Sequence, residues 1–250
     1  MMDKKDRMEY IFDSLRRNKR IHITSMCTEL GVSDDTLRRD LAEMEKQGLL
    51  TRVHGGAVQR SDTSVQILER FDSEKQAKVR MAEKMVALLH DGDTILIDGG
   101  TSNLEVAKAL PRDMELTIFT NSFPIANELF SHIRHRTVFL GGEIDYEGQV
   151  TLGISTYREL QMIRTDWAII GVSDLHPIEG LFCIKREEAL LKSKILERGR
   201  NRVVMASSKK LDRARTFKIA NIADVTHIVT DDEGARHIKD CWQDIGCQVI

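Results

Sequence analysis

The sequence predicts an α/β protein in two parts, a small helical module closed by a hairpin and a larger domain built on a parallel sheet. Three observations predict it. The chain has 250 residues, more than one typical domain needs. Its first sixty residues hold three short helical patterns and a Gly-Gly hairpin signal. From residue 94 onward, short apolar runs alternate with amphipathic stretches. Hydrophobic residues make up 41% and charged residues 30%, so both parts can bury a core.

In the first helix, Met8, Ile11, Phe12 and Leu15 fall at helical spacing. In the second, Ile23, Met26, Cys27 and Leu30 lie on one side. Gly31 stands where a C-cap glycine ends a helix, and Ser33 is a good N-cap for the next. Helix, glycine turn, helix is the helix-turn-helix arrangement. The third helix buries Leu37, Leu41 and Met44, at i, i+4 and i+7. At about 100° per residue, Asp35 and Arg39 point away from that stripe, with Thr36 and Arg38 on its flanks. Asp40 sits only about 60° from the stripe and reads as structural, a partner for an arginine of the module. The exposed N-terminal side therefore presents Ser33, Asp35, Thr36, Arg38 and Arg39. Arginine forks onto phosphates or a guanine edge, and short hydroxyls at a helix N-terminus suit phosphate oxygens.

Gly48 marks the end of this helix. "LLTRVHGGAVQR" then reads as two short strands joined by a Gly55-Gly56 turn, with Arg52 and His54 on one face of the first. Such a hairpin beside a recognition helix is a wing, whose glycine tip can approach a sugar-phosphate backbone. An isolated Arg-Arg pair is more often a solvated surface. The ordered set of helix, turn, N-cap, arginine pair and hairpin points to duplex DNA. Residues 1–60 carry 12 basic and 10 acidic side chains, a mild excess that permits that partner.

The predicted domains are a winged helix-turn-helix over 1–60, a linker over 61–72 and a Rossmann-like parallel α/β domain over 73–250. A helix capped by Ser73 opens the last. Strands follow at 94–98, 116–120, 136–140, 166–171, 202–206 and 226–230, with helices between them. Ligands of such sheets bind at the carboxyl ends of the strands. The loops there are "DGGTSN" from Asp98, "TNS" at 120–122, "GG" at 141–142 and "SSKK" at 207–210. Two glycines, hydroxyls and a helix N-terminus make an anion site. The pattern is neither GxGxxG nor GxxxxGK[ST], which disfavours dinucleotides and nucleoside triphosphates. Each loop alone is an ordinary connection; together they fit a small phosphate-bearing ligand.

"SDDTLRRDL" followed by "QGLLTRVHGGA", with Arg7 and Ile11 in place, resembles the DNA-binding module of the DeoR/GlpR family of bacterial sugar-metabolism regulators. The resemblance implies a winged helix-turn-helix that docks its third helix in the major groove, in a protein that is usually a repressor. Residues 73–232 resemble that family's effector domain, which is similar to ribose-5-phosphate isomerase-type folds. This implies a phosphorylated sugar or related metabolite as effector. It implies a phosphate loop of Gly100, Thr101, Ser102 and Asn103, with Asn121 and Lys210 lining the same pocket. Asp98, Gly141 and Asp174 complete the candidate effector-binding set. Ser102 stands where the family often has Thr, Ser207 where an Asp is usual, and Asp174 where a Gly is common.

The DNA logic implies a homo-oligomer, a dimer or tetramer, because two-fold assemblies read paired half-sites. The competing reading is a sugar-phosphate isomerase-like enzyme with an appended DNA module, using Asp174, Glu187 or Glu188 as general base. A third, a DNA-architectural protein without a ligand, leaves the Gly/Ser/Thr loops unexplained. Cys27, Cys183, Cys241 and Cys247 form no CxxC pair and no zinc-ligand spacing, so no metal, disulfide or cofactor is expected. A charged N-terminus and the lack of any run of about 18 apolar residues predict a cytoplasmic protein with no membrane partner.

Overall fold

The computed structural model describes residues 3–18, 20–46, 49–53, 55–59, 74–243 and 245–250. The chain divides into two compact units, Met1–Glu69 and Arg70–Ile250.

The first unit runs α1 (Lys4–Asn18), β1 (Arg20–His22), α2 (Ile23–Leu30), α3 (Asp34–Lys46), β2 (Leu50–Val53) and β3 (Gly56–Gln59). Its core joins Ile11 and Leu15 of α1, Met26 of α2, Leu37, Leu41 and Met44 of α3, and Leu50 and Ala57 of the strands. The apolar spacings predicted these faces. Gly31 takes φ +64 after α2 and donates its N–H to the Cys27 carbonyl, closing the helix in the left-handed conformation that glycine allows. Ser33 Oγ accepts from the Thr36 N–H at 3.3 Å, which caps α3 as expected.

Two details differ from the sequence reading. The sheet has three strands, because β1 adds to the hairpin in the order β1-β3-β2. At three residues, β1 is too short for alternation to reveal it. Ile21 pairs with Ala57 and points inward. The turn is also displaced by one residue: Val53 pairs with Gly56, so Gly56 belongs to β3 and Gly55, at φ +77, to the turn. A Cβ on Gly56 would lie 2.0 Å from the Ile21 carbonyl oxygen, so glycine is needed here for close strand approach. Gly48, His54, the linker 61–72 and Ser73 lie outside the described residues.

The second unit begins with α4 (Lys75–Val86), β4 (Thr94–Ile97), α5 (Thr101–Ala109), β5 (Thr117–Thr120), α6 (Phe123–Leu129) and β6 (Arg136–Phe139). A hairpin of β7 (Glu143–Asp145) and β8 (Val150–Leu152) leads to α7 (Gly153–Gln161) and β9 (Thr165–Gly171). Then come β10 (Asp174–His176), β11 (Gly180–Cys183), α8 (Arg186–Arg198) and β12 (Gly199–Met205). Last are β13 (Phe217–Ala220), β14 (His227–Val229), α9 (Asp232–Cys241) and β15 (Gln248–Val249).

Seven strands form one sheet in the order β15-β14-β12-β9-β4-β5-β6. Every neighbouring pair in it is parallel. Successive residues serve opposite faces, as a strand's period of two requires. Ile169 and Val203 join the layer with Met81 and Val106, while Ile170 and Val204 join the layer with Leu191 and Leu196. A sheet covered on both faces is the Rossmann-like arrangement expected. The chain builds outward from β4 through β5 to β6, then returns to β9 on the other side of β4. The strand order therefore reverses between β4 and β9, a topological switch point.

The sequence reading passed over the β7–β8 hairpin, α7, and the antiparallel sheet of order β10-β11-β13. These strands lack the regular alternation with helical stretches by which β4, β5, β6 and β14, no longer themselves, are read. In α7 only Thr156 and Leu160 are buried, too few to print an apolar stripe.

Candidate functional site

On the first unit, Ser33, Asp35, Arg38, Arg39, Arg52 and Gly55 are exposed and Thr36 is half-buried. Arg38 pairs with Asp34 at 3.1 Å and Arg39 with Asp35 at 2.5 Å, each one helical turn apart. Arg52 pairs with Glu45 at 3.3 Å, and its backbone N–H donates to the same carboxylate at 2.8 Å. Surface pairs of this kind are worth at most about 1 kcal/mol, so a denser anionic surface can displace the acids. Asp35 therefore shields Arg39 instead of standing free. Arg38 and Arg52 line one concavity with Ile23, Leu41, Val53 and Gly56, bringing helix and wing together. The Ile23 N–H donates to the Gly55 carbonyl at 3.0 Å and ties the wing's turn to the start of α2. Asp40 is buried and takes Arg7 Nε at 2.9 Å, the structural pairing anticipated for it.

On the second unit, the strand ends gather the predicted loops. Asp98 follows β4, is 3% exposed, and donates its backbone N–H to the Ile169 carbonyl of β9 at 3.0 Å. Gly100 precedes α5 at φ +120, with open space where a side chain would stand. Such a φ favours glycine. Thr101 is half-buried and Ser102 buried in that turn. Asn103 is fully buried, and its Nδ2 donates to the carbonyls of Asp98 at 2.8 Å and Gly99 at 3.3 Å. Asn121, after β5, donates Nδ2 to the Thr151 carbonyl at 2.9 Å. Thr151 in turn bonds to the Asn121 carbonyl through its N–H at 2.8 Å and to the Leu140 carbonyl through Oγ1 at 2.5 Å. Gly141 accepts Thr156 Oγ1 at 2.6 Å. Lys210 donates to the Val172 carbonyl at 2.7 Å, which ties the loop after β12 to the end of β9.

Asp98, Gly100, Ser102 and Asn103 thus meet at the switch point. Asn121 is tied to the β7–β8 hairpin through Thr151, Gly141 to α7 through Thr156, and Lys210 to the end of β9. Asp174 opens the antiparallel β10, two residues beyond the Val172 carbonyl that Lys210 holds; it is 2% exposed and is bound by Arg215. Glu188 pairs with Lys192 at 3.2 Å, while Glu187 is exposed.

Lys192 is the residue that sequence reading missed. It is 4% exposed, forms an ion pair with Asp98, and donates to the Gly171 carbonyl at 2.8 Å. Burial alone pulls its pKa down, but Asp98 and Glu188 outweigh that and hold it above the ordinary lysine value. The signal was present: on α8 it shares the buried stripe of Ala189, Ile195 and Leu196, a place for an apolar side chain. Burial pushes the Cys183 and Cys247 thiols up to about 11, which keeps them protonated at neutral pH. Among the described residues, no group of three His, Cys, Asp or Glu side chains could hold a metal, and no helix is long and apolar enough to cross a membrane.

Comparison with known proteins matches residues 7–63 to the DeoR-like helix-turn-helix domain and residues 73–232 to the DeoR C terminal sensor domain. The chain is 29% identical over 235 residues to the HTH-type transcriptional repressor GlcR of Bacillus subtilis, covering 92% of this chain and 89% of that protein. It is 28% identical over 231 residues to the glycerol-3-phosphate regulon repressor of Escherichia coli, covering 92% of each. Among solved structures it is similar to ribose 5-phosphate isomerase A of Methanocaldococcus jannaschii, with TM-score 0.41 and 17% identity over 56% of this chain and 55% of that one.

Proposed function

The chain belongs to the DeoR family of DNA-binding transcription regulators, and on that premise we propose that it represses a carbohydrate-utilisation operon under the control of a phosphorylated sugar. The relatives of matching length are regulators and not enzymes, and the residues agree. Asp174 is bound by Arg215 and Glu188 by Lys192, so neither stands ready as a general base.

In this reading Ser33, Asp35, Thr36, Arg38 and Arg39 of α3 meet the major groove, and Arg52, His54, Gly55 and Gly56 of the wing meet the backbone. A double-stranded operator is the partner. The protein works in the cytoplasm as a homo-oligomer that spans paired half-sites. Residues 1–60 form the DNA-binding domain, 61–72 the linker and 73–250 the sensor. The effector's phosphate takes the turn from Gly100 to Asn103, and Asp98, Asn121, Gly141 and Lys210 surround the rest.

One observation carries the sensor assignment: the glycine-opened N-terminus of α5 lies at the point where the sheet order reverses, where open α/β sheets bind ligands. Fluorescence anisotropy with DNA from the promoter beside its own gene, with and without sugar phosphates, tests the reading. Tight specific binding released by one of them is expected. Specific binding that none of them alters would overturn the effector assignment and leave the DNA assignment standing.

A further inference from the structure

The buried lysine at the switch point does more than fill a core position. Its ammonium has three N–H groups and three partners: the Asp98 carboxylate, the Gly171 carbonyl at 2.8 Å and the Glu188 carboxylate at 3.2 Å. No donor is left over for a ligand. Desolvating a charge opposes folding, so a core built for stability alone would hold an apolar residue here. The partners span β4, β9 and α8, the two strands of the reversal and the helix beside them.

Two amides lie near by. Asn103 and Asn121 are 0% and 1% exposed, and both aim Nδ2 at backbone carbonyls. Those carbonyls only accept, so the orientation of each amide is fixed and its Oδ1 faces the other way. Both Oδ1 atoms are buried without a hydrogen-bond partner. A buried acceptor left unmet is costly, and in a native protein it calls for an explanation, of which a donor brought by a ligand is one. Asn103, in the first turn of α5, is bonded to the Asp98 carbonyl, and Asn121 follows β5 level with Asp98, since Ile97 of β4 pairs with Thr120.

We propose that Lys192 is a positioning residue: it fixes the Asp98 carboxylate at the switch point so that Asp98, with the amide oxygens of Asn103 and Asn121, forms an acceptor-only patch for ligand hydroxyls. The inference rests on the effector reading and adds an orientation to it. The ligand's anionic group takes the donor side, at the first turn of α5, and its hydroxyl-bearing carbon chain takes the acceptor side. A second anionic group on that chain is repelled, so a sugar monophosphate is preferred over a bisphosphate.

The test uses the full chain and calorimetric titration with glucose 6-phosphate, fructose 6-phosphate, ribose 5-phosphate, 2-deoxyribose 5-phosphate, fructose 1,6-bisphosphate and inorganic phosphate. The variants are Lys192→Met, Lys192→Arg and Asp98→Asn. The double variant Asp98→Asn with Lys192→Met removes both charges, and so keeps the fold if one charge left alone unfolds it. The tightest-binding monophosphate is expected to lose at least about tenfold in affinity in Lys192→Met, in Asp98→Asn and in the double variant, the worth of one charge-assisted hydrogen bond. Inorganic phosphate should lose clearly less affinity than the monophosphate in every folded variant, and Lys192→Arg should recover part of the loss. Parallel losses for the monophosphate and inorganic phosphate would overturn the positioning role, since a merely structural lysine moves both together. An unchanged monophosphate affinity in the double variant would overturn it too, while leaving the effector reading intact. Should no sugar phosphate bind the native protein more tightly than inorganic phosphate, the effector reading falls first.

Discussion

At the scale of single residues, buried charges and imidazoles give the sharpest expectations. Asp40 is 3% exposed and takes Arg7 Nε at 2.9 Å, so Asp40→Ala removes the buried carboxylate of this ion pair from the first unit. We expect a loss of about 2–3 kcal/mol, read as a lowered denaturant midpoint for that unit; a change under about 0.5 kcal/mol, the size of an ordinary surface substitution, would refute it. In the second unit, His135 is buried with its ring centroid 5.2 Å from that of His132. Burial, and then the neighbouring His132, hold its pKa below the ordinary 6.5. His227 is lowered by burial too. The sign follows from linkage: a folded pKa below the unfolded one gives stability that is complete above about pH 6.5 and fades as the pH falls through the folded value. Thermal melts of the second unit should therefore drop between pH 7 and pH 5, and His135→Gln should flatten that slope. Parallel slopes for native protein and variant would count against it. Lys192 marks the limit of residue-level reading: its place on the buried stripe of α8 is legible, but its partner Asp98 lies 94 positions away and no spacing announces it.

At the scale of elements, the periodic segments and the short apolar strands set between helices were legible, and the short strands of the antiparallel sheets were not. The stripes of α1 and α3 and the apolar runs of β9 and β12 state their class, because each offers enough repeats to fix a period. In the three residues of β1, or in β10, β11 and β13, that evidence is missing and pairing across the fold decides. The Gly55-Gly56 pair signalled a hairpin, yet its symmetry hid the register: one glycine serves backbone conformation and the other serves contact. Substitution separates them. Gly55→Ala meets open space but must hold φ +77, costing about 1–2 kcal/mol. Gly56→Ala drives a methyl into the Ile21 carbonyl, should cost at least about 2–3 kcal/mol, and should release β1 from β3. Equal melting temperatures for the two variants would show the register to be wrong. On α3, Arg39→Ala should weaken operator binding with the fold intact and lower the slope of log affinity against log salt by about 1 if its contact is a phosphate. Unchanged affinity would refute the orientation of the helix.

At the scale of the whole molecule, a net charge of −2 hides a division of labour. Residues 1–60 carry a net +2 and the remainder −4, so attraction to a polyanion belongs to the smaller part. A ligand at the switch point should raise the melting temperature of the second unit in step with its concentration, worth about 2.7 kcal/mol at a hundred times Kd. A melt that saturating ligand leaves in place would refute binding to the folded state. The wing carries a different lesson. Its strand β3 is hydrogen-bonded on both sides, and the turn that follows β2 is tied to the start of α2. Within the three-stranded sheet β1 splints β3, while β2 forms an edge. The amides of β3 should therefore exchange with deuterated solvent at the pace of the surrounding core before any DNA arrives. The protein meets its operator with a jaw already set, and little of its binding energy is consumed in ordering that jaw.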